Sequence, residues 1–155
     1  RARIIIEKMT TVSGSAVSDL RMMQTAMGGI LGAMGLAQLL MPEVTLPLTI
    51  KPDVLTAYGG VTPTLNLLTR CLGGASVLCA VTVVASEFTS VTWKALGITL
   101  APLLGLDWVA WNGDNYTPFG AASIMASKAA CLGLSYLGYK RAKEQEDKFP
   151  GLVRP

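Results

Sequence analysis

TWKALGITLAPLLGLDWVAW, running from Thr92 to Trp111, has the length of a bilayer-crossing helix, for which about 20 predominantly apolar residues suffice. Tryptophans bracket it, Trp93 at one end and Trp108 and Trp111 at the other. Gly97, Ala101 and Gly105 recur at i, i+4 and i+8, which sets three small residues on one helical face. Such a stripe lets a neighbouring helix come close in lipid, where burying more apolar surface gains little. Pro102 sits near the middle and Asp107 near one end. A carboxylate at that depth should not face lipid, so it needs a partner on another helix. The rest of the chain reads as what surrounds this helix.

The 155 residues are enough for one domain. The chain is 51% hydrophobic and 15% charged, with a mean hydropathy of +0.47, whereas soluble domains are about a quarter charged. Histidine is absent, which removes His-ligated haem, His-based metal sites and His general bases. It also removes the commonest side-chain ligand of a chlorophyll magnesium, leaving Asn, Gln, Glu, backbone carbonyls or water. The three cysteines, Cys71, Cys79 and Cys131, form no CxxC motif and lie within apolar runs, so they read as packing residues. Cys71 and Cys79 share a helix face but sit about 12 Å apart along it, too far for a disulfide. The chain begins at Arg1, and a removed transit peptide would fit an organellar protein.

Three further apolar runs accompany the first, predicting an all-α integral membrane antiparallel four-helix bundle with spans at about 22–41, 63–86, 92–111 and 118–139. Ahead of it, residues 1–21 read as a short interfacial helix over RARIIIEKM and a polar linker TTVSGSAVSD, with Ser18 or Asp19 as N-cap. In the first span Gly28, Gly32 and Gly35 share a stripe of the GxxxG type. Residues 42–62, punctuated by Pro42, Pro47, Pro52, Gly59 and Gly60, read as a solvated connector, with one helical turn over Asp53–Tyr58 as the alternative. Thr62-Pro63 and Thr117-Pro118 are both helix starts, Thr as cap and Pro at the first helical position. The link from Glu87 to Thr92 is short, so the second and third spans should be antiparallel neighbours. Lys140-Arg141-Ala142-Lys143 should stop the fourth span, and residues 140–155 form a polar tail whose Phe-Pro-Gly-Leu-Val suits docking.

Four antiparallel spans put both termini on one side, together with ten of the 13 Lys and Arg; only Lys51 falls opposite, and Arg70 and Lys128 lie within spans. That bias places the termini on the cytoplasmic, stromal or matrix face. The charge of +3 is therefore a signal of topology and not of nucleic-acid binding. Gln38, Asn66, Arg70, Asp107 and Lys128 all fall in the half of the membrane away from the termini. Two readings stand side by side. In one, Arg70 and Asp107 pin two helices together. In the other, these residues form a positively charged pocket for an anionic lipid headgroup or the polar end of a quinone, sterol or pigment.

An early charged residue followed by LGG (Arg70, Leu72, Gly73, Gly74), together with Lys94 at the start of the third span, resembles the DoxX-like four-helix membrane proteins. This likeness implies the fold and, since the group is functionally mixed, a small-molecule binder, carrier or membrane enzyme. In type, the chain also resembles the small histidine-free accessory subunits of organellar energy-converting complexes, such as those of algal photosystem I. The expectation is a non-catalytic accessory subunit of a thylakoid photosystem with termini in the stroma, or alternatively of the mitochondrial inner membrane with termini in the matrix. Its partners would be other membrane subunits, and its ligands chlorophyll, carotenoid or lipid, with Gln38 or Asn66 ligating a chlorophyll directly or through water.

Overall fold

The computed structural model describes the backbone of residues 2–148 and the side chains of residues 18–148. The expected docking segment at residues 149–153 lies outside these. Helices account for nearly all of the described chain: α1 (Ala2–Leu40), α2 (Pro42–Thr49), α3 (Pro52–Ala57), α4 (Pro63–Ala85), α5 (Ser90–Asn112) and α6 (Pro118–Lys148). Both Thr-Pro starts form as expected. Thr62 Oγ1 accepts from the backbone N–H of Leu65 at 3.2 Å, and Thr117 Oγ1 accepts from that of Gly120 at 2.9 Å.

Several boundaries differ from the sequence reading, each for a physical reason. The polar stretch 10–19 is no linker, because α1 runs through it, and it contains no proline to break the backbone ladder. Asp19 is therefore not a cap; it faces Arg141 at 3.8 Å. At the other end, Lys140 and Arg141 do not stop α6, which continues to Lys148. Lysine and arginine are good helix formers, so a basic cluster marks a change of surroundings and not a helix end.

The segment 42–62 is not simply a solvated connector. It holds α2 and α3, and buries Pro42, Leu46 and Leu55. The α3 turn was readable from sequence and α2 was not. Pro42 at the start of α2 cannot continue α1, and the axis bends there by 111° between Ser18–Leu40 and Pro42–Thr49. Ile50 pairs with Tyr116 in an isolated antiparallel bridge, and Lys51 N–H donates to Asn115 at 3.0 Å. Across the same junction Gly120 lies against Thr49 so closely that a Cβ would stand 2.3 Å from its carbonyl oxygen. The 42–62 segment is thus bolted to the α5–α6 turn, where Asp114 takes φ 61°, a left-handed conformation that Asp tolerates, and pairs with Lys51.

The helices pack in the order α4, α1, α6, α5. The short link between α4 and α5 does not make them packing neighbours, since they share at most a glancing contact. The glycine stripe of α1 is spent inside the chain. A Cβ on Gly73 of α4 would sit 2.5 Å from Leu39 N and 2.6 Å from the Gly35 carbonyl oxygen. Backbones meet there directly, as a small-residue face permits. Trp93 is not a boundary residue but the centre of the core, fully buried, edge-on to Phe88 at 5.1 Å and seated on Gly138. Met27, Val83, Cys131 and Ala142 complete that core.

Among the described residues, one helix is by itself long and apolar enough to cross a membrane, α4, with a mean hydropathy of 1.8. The residues Ser18–Leu40 qualify when taken together with α2.

Candidate functional site

The five polar residues singled out from the sequence separate into two groups. The first lies on the α1–α4 side. Arg70 leaves α4 and donates through Nη1 to the carbonyl of Leu39 at 3.0 Å, while Nη2 lies 3.5 Å from Glu43 Oε2. The guanidinium thus caps the C-terminal end of α1, where carbonyls are left without helical donors and the dipole favours positive charge. Gln38 is half-buried where α1 crosses Gly73. Asn66 is one turn before Arg70, and its Oδ1 is buried with no hydrogen-bond partner.

The second group joins α5 to α6. Asp107 is buried, and Lys128 Nζ forms an ion pair with its Oδ2 at 2.5 Å. Tyr116, from the turn between the two helices, donates its hydroxyl to Asp107 Oδ1 at 3.3 Å. The expected pairing of Asp107 with Arg70 does not form. These two residues match in depth, but depth says nothing of which helices are neighbours, and α4 and α5 are not. Lys128, expected to be left over, is the actual partner. Burial, then the negative charge of Asp107 and the bond to it, hold the Tyr116 phenol above its ordinary pKa. The phenol therefore stays a donor at neutral pH.

The sequence reading missed Glu43, Tyr116 and a second polar lock at the opposite end. There Glu146 of α6 accepts from Ser90 N–H at 2.9 Å and from Ser90 Oγ at 2.6 Å, which caps the start of α5. Buried Gln24 donates to the carbonyls of Val83 at 3.3 Å and Ser86 at 2.9 Å, which closes the end of α4. The available signal was the position of these residues at helix ends, where unpaired backbone groups require partners.

The small-residue stripe of α5 is divided. Gly97 faces α6, where a Cβ would stand 3.7 Å from Ser135 Cβ, while a Cβ on Gly105 would meet open space. Between the Gly105 end of α5 and α6 lies an open apolar furrow of about 570 Å³ lined by Ala101, Leu104, Gly105, Trp108, Met125 and Ala126. The stripe on α1 is covered by α4 and is not free for a foreign helix. Of the cysteines, Cys131 is buried as expected, whereas Cys71 and Cys79 are exposed on α4.

No family model, curated protein or solved structure matches the chain.

Proposed function

We propose that this chain is an integral membrane, non-catalytic subunit of a larger complex, its helices held in a bundle with lipid or partner helices around it. One observation carries the reading, the outward apolar surface of the long helices. On α4, Leu67, Leu68, Leu72, Leu78 and Val81 are all exposed, and only 17% of the apolar window of that helix is buried. On α5, Ile98, Leu106 and Val109 are each more than 60% exposed. In water so much contiguous apolar surface would drive association; in a bilayer it is the ordinary lipid-facing exterior. The Asp107–Lys128 pair has the inward, mutually neutralised arrangement that intramembrane ionisable groups require. It reads as a structural lock between α5 and α6, and with Arg70 engaged on Leu39 and Glu43 the five polar residues do not gather into one positively charged pocket.

Within this reading the thylakoid photosystem comes first and the mitochondrial inner membrane second, with the termini on the stromal or matrix side. The basic bias of the terminal side supports the orientation. Asn66, with its unpartnered buried Oδ1, is the better of the two candidate pigment ligands, Gln38 being the other.

The test is gentle isolation from the native membrane, followed by an absorption spectrum and mass analysis. Migration with photosystem proteins and chlorophyll supports the leading reading. Colourless migration with respiratory subunits moves the chain to the mitochondrion. A colourless chain that runs alone overturns the subunit reading. Gly105→Leu, which fills open space, should weaken attachment to the complex while the isolated protein melts normally. Unchanged attachment would rule out the α5 furrow as the contact.

A further inference from the structure

We infer that the terminal end of the α5–α6 seam is a binding site for one anionic phospholipid, an inference that rests on the membrane reading above. Besides the open furrow at Gly105, the seam has a second cleft, of about 190 Å³, at its opposite end. Its floor is Gly97, which has no side chain, and its walls are Ile98, Leu132, Tyr136 and Tyr139. This lining is almost wholly apolar, and Ile98 and Tyr136 are each more than 60% exposed, so the cleft opens sideways, the direction from which an acyl chain would enter.

Lys94 also lines the cleft. On α6, Lys140 follows Tyr136 by four residues and Lys143 follows Tyr139 by four, so each lysine lies one turn beyond a tyrosine of the wall on the same face of the helix. All three lysines are exposed, and none forms an ion pair among the described residues. Two nearby charges are otherwise engaged. Glu146 uses both oxygens on Ser90, and Arg141 faces Asp19. Glu144, one turn past Lys140, and Asp147, one turn past Lys143, are carboxylates in register without an ion pair among the described residues, and three lysines against these two leave the cluster net positive. An apolar cleft ending in tyrosines and then in three ammonium groups complements a molecule with an apolar chain and an anionic head. Tyrosine and lysine are also the side chains that anchor at a lipid–water boundary, which is where the membrane reading puts this end of the seam.

The test uses the full chain in nanodiscs made of equal parts phosphatidylcholine and phosphatidylglycerol, released gently and read by native mass spectrometry for retained lipid. The expected result is one retained phosphatidylglycerol, preferred over phosphatidylcholine by about tenfold or more, since each lysine near a lipid headgroup contributes roughly fivefold. The variant Lys94→Gln/Lys140→Gln/Lys143→Gln should lose the preference, whereas Lys148→Gln, beyond the cluster, should keep it. Ile98→Trp, which obstructs the cleft and leaves the lysines intact, should lose the retained lipid. Equal retention of both lipids by the wild-type chain, or phosphatidylglycerol still bound in the triple variant, overturns the site. A preference that survives Ile98→Trp overturns the cleft as the seat of the chain. A protein that enters the bilayer without the preference refutes this inference alone; one that fails to enter any bilayer refutes the membrane reading as well.

Discussion

Asp107 is the residue whose surroundings are most demanding, and its consequences can be measured directly. Removing one partner of a buried ion pair leaves the other uncompensated, at a cost of about 3–5 kcal/mol. Asp107→Asn should therefore lower the melting temperature in mild detergent sharply. The double variant Asp107→Leu/Lys128→Met should recover most of the loss, because replacing both charges by apolar groups is often neutral. Additive losses would show that the two side chains do not act as a pair. Tyr116 supplies the pH dependence. Its folded pKa is raised, so its contribution is complete below the unfolded value of about 10 and is lost as pH rises through the folded value. Tyr116→Phe should cost about 1 kcal/mol at neutral pH, and the gap to wild type should close above pH 10. A constant gap would mean that the phenol is not a donor to Asp107. That Asp107 needed an internal partner was readable from its place in an apolar run. The identity of that partner was not, since Arg70 and Lys128 lie in the same half of the expected bilayer and sequence spacing does not say which helices touch.

The four long helices were readable from their apolar runs and their Thr-Pro starts. Their ends were less so, because lysine and arginine at 140–143 signal water and are taken for a stop, although the helical ladder runs on to Lys148. The glycine stripe of α1 was readable as a close-packing face, but its occupant was not. Glycine spacing describes one surface and does not say which small residues of another helix, here Gly73, Ser76 and Ala80 of α4, it will meet. The consequence is a graded set of substitutions. Gly73→Ala would press a methyl into the backbone of α1 and should destabilise the protein by about 1–3 kcal/mol or more. Gly32→Ala, whose methyl would meet only Ala80 Cβ at 3.6 Å, should be nearly neutral. Thermal melting in mild detergent separates the two, and equal effects would mean that α1 and α4 do not cross at Gly73. Gly138→Ala, whose methyl would stand 2.4 Å from the Trp93 ring, should unseat that indole and red-shift its fluorescence.

As a whole molecule the chain is a row of helices, with α4 and α5 at its two flanks, both apolar outward. Cys71 and Cys79 lie on the exposed surface of α4, and Cys131 lies in the core. A maleimide attacks the thiolate and so needs water, and on the membrane reading Cys71 and Cys79 should label slowly while α4 is held in detergent or lipid, with all three cysteines labelling after unfolding. Fast labelling of Cys71 or Cys79 in the folded protein would assign the α4 flank to water. The Asp107–Lys128 lock also bears on the order in which the molecule can be completed. The two charges are 21 residues apart in the chain, and the acid is made first. Until α6 docks, α5 carries a carboxylate without the counter-charge it keeps in the finished fold, so the two helices settle as a pair and α5 is not completed alone.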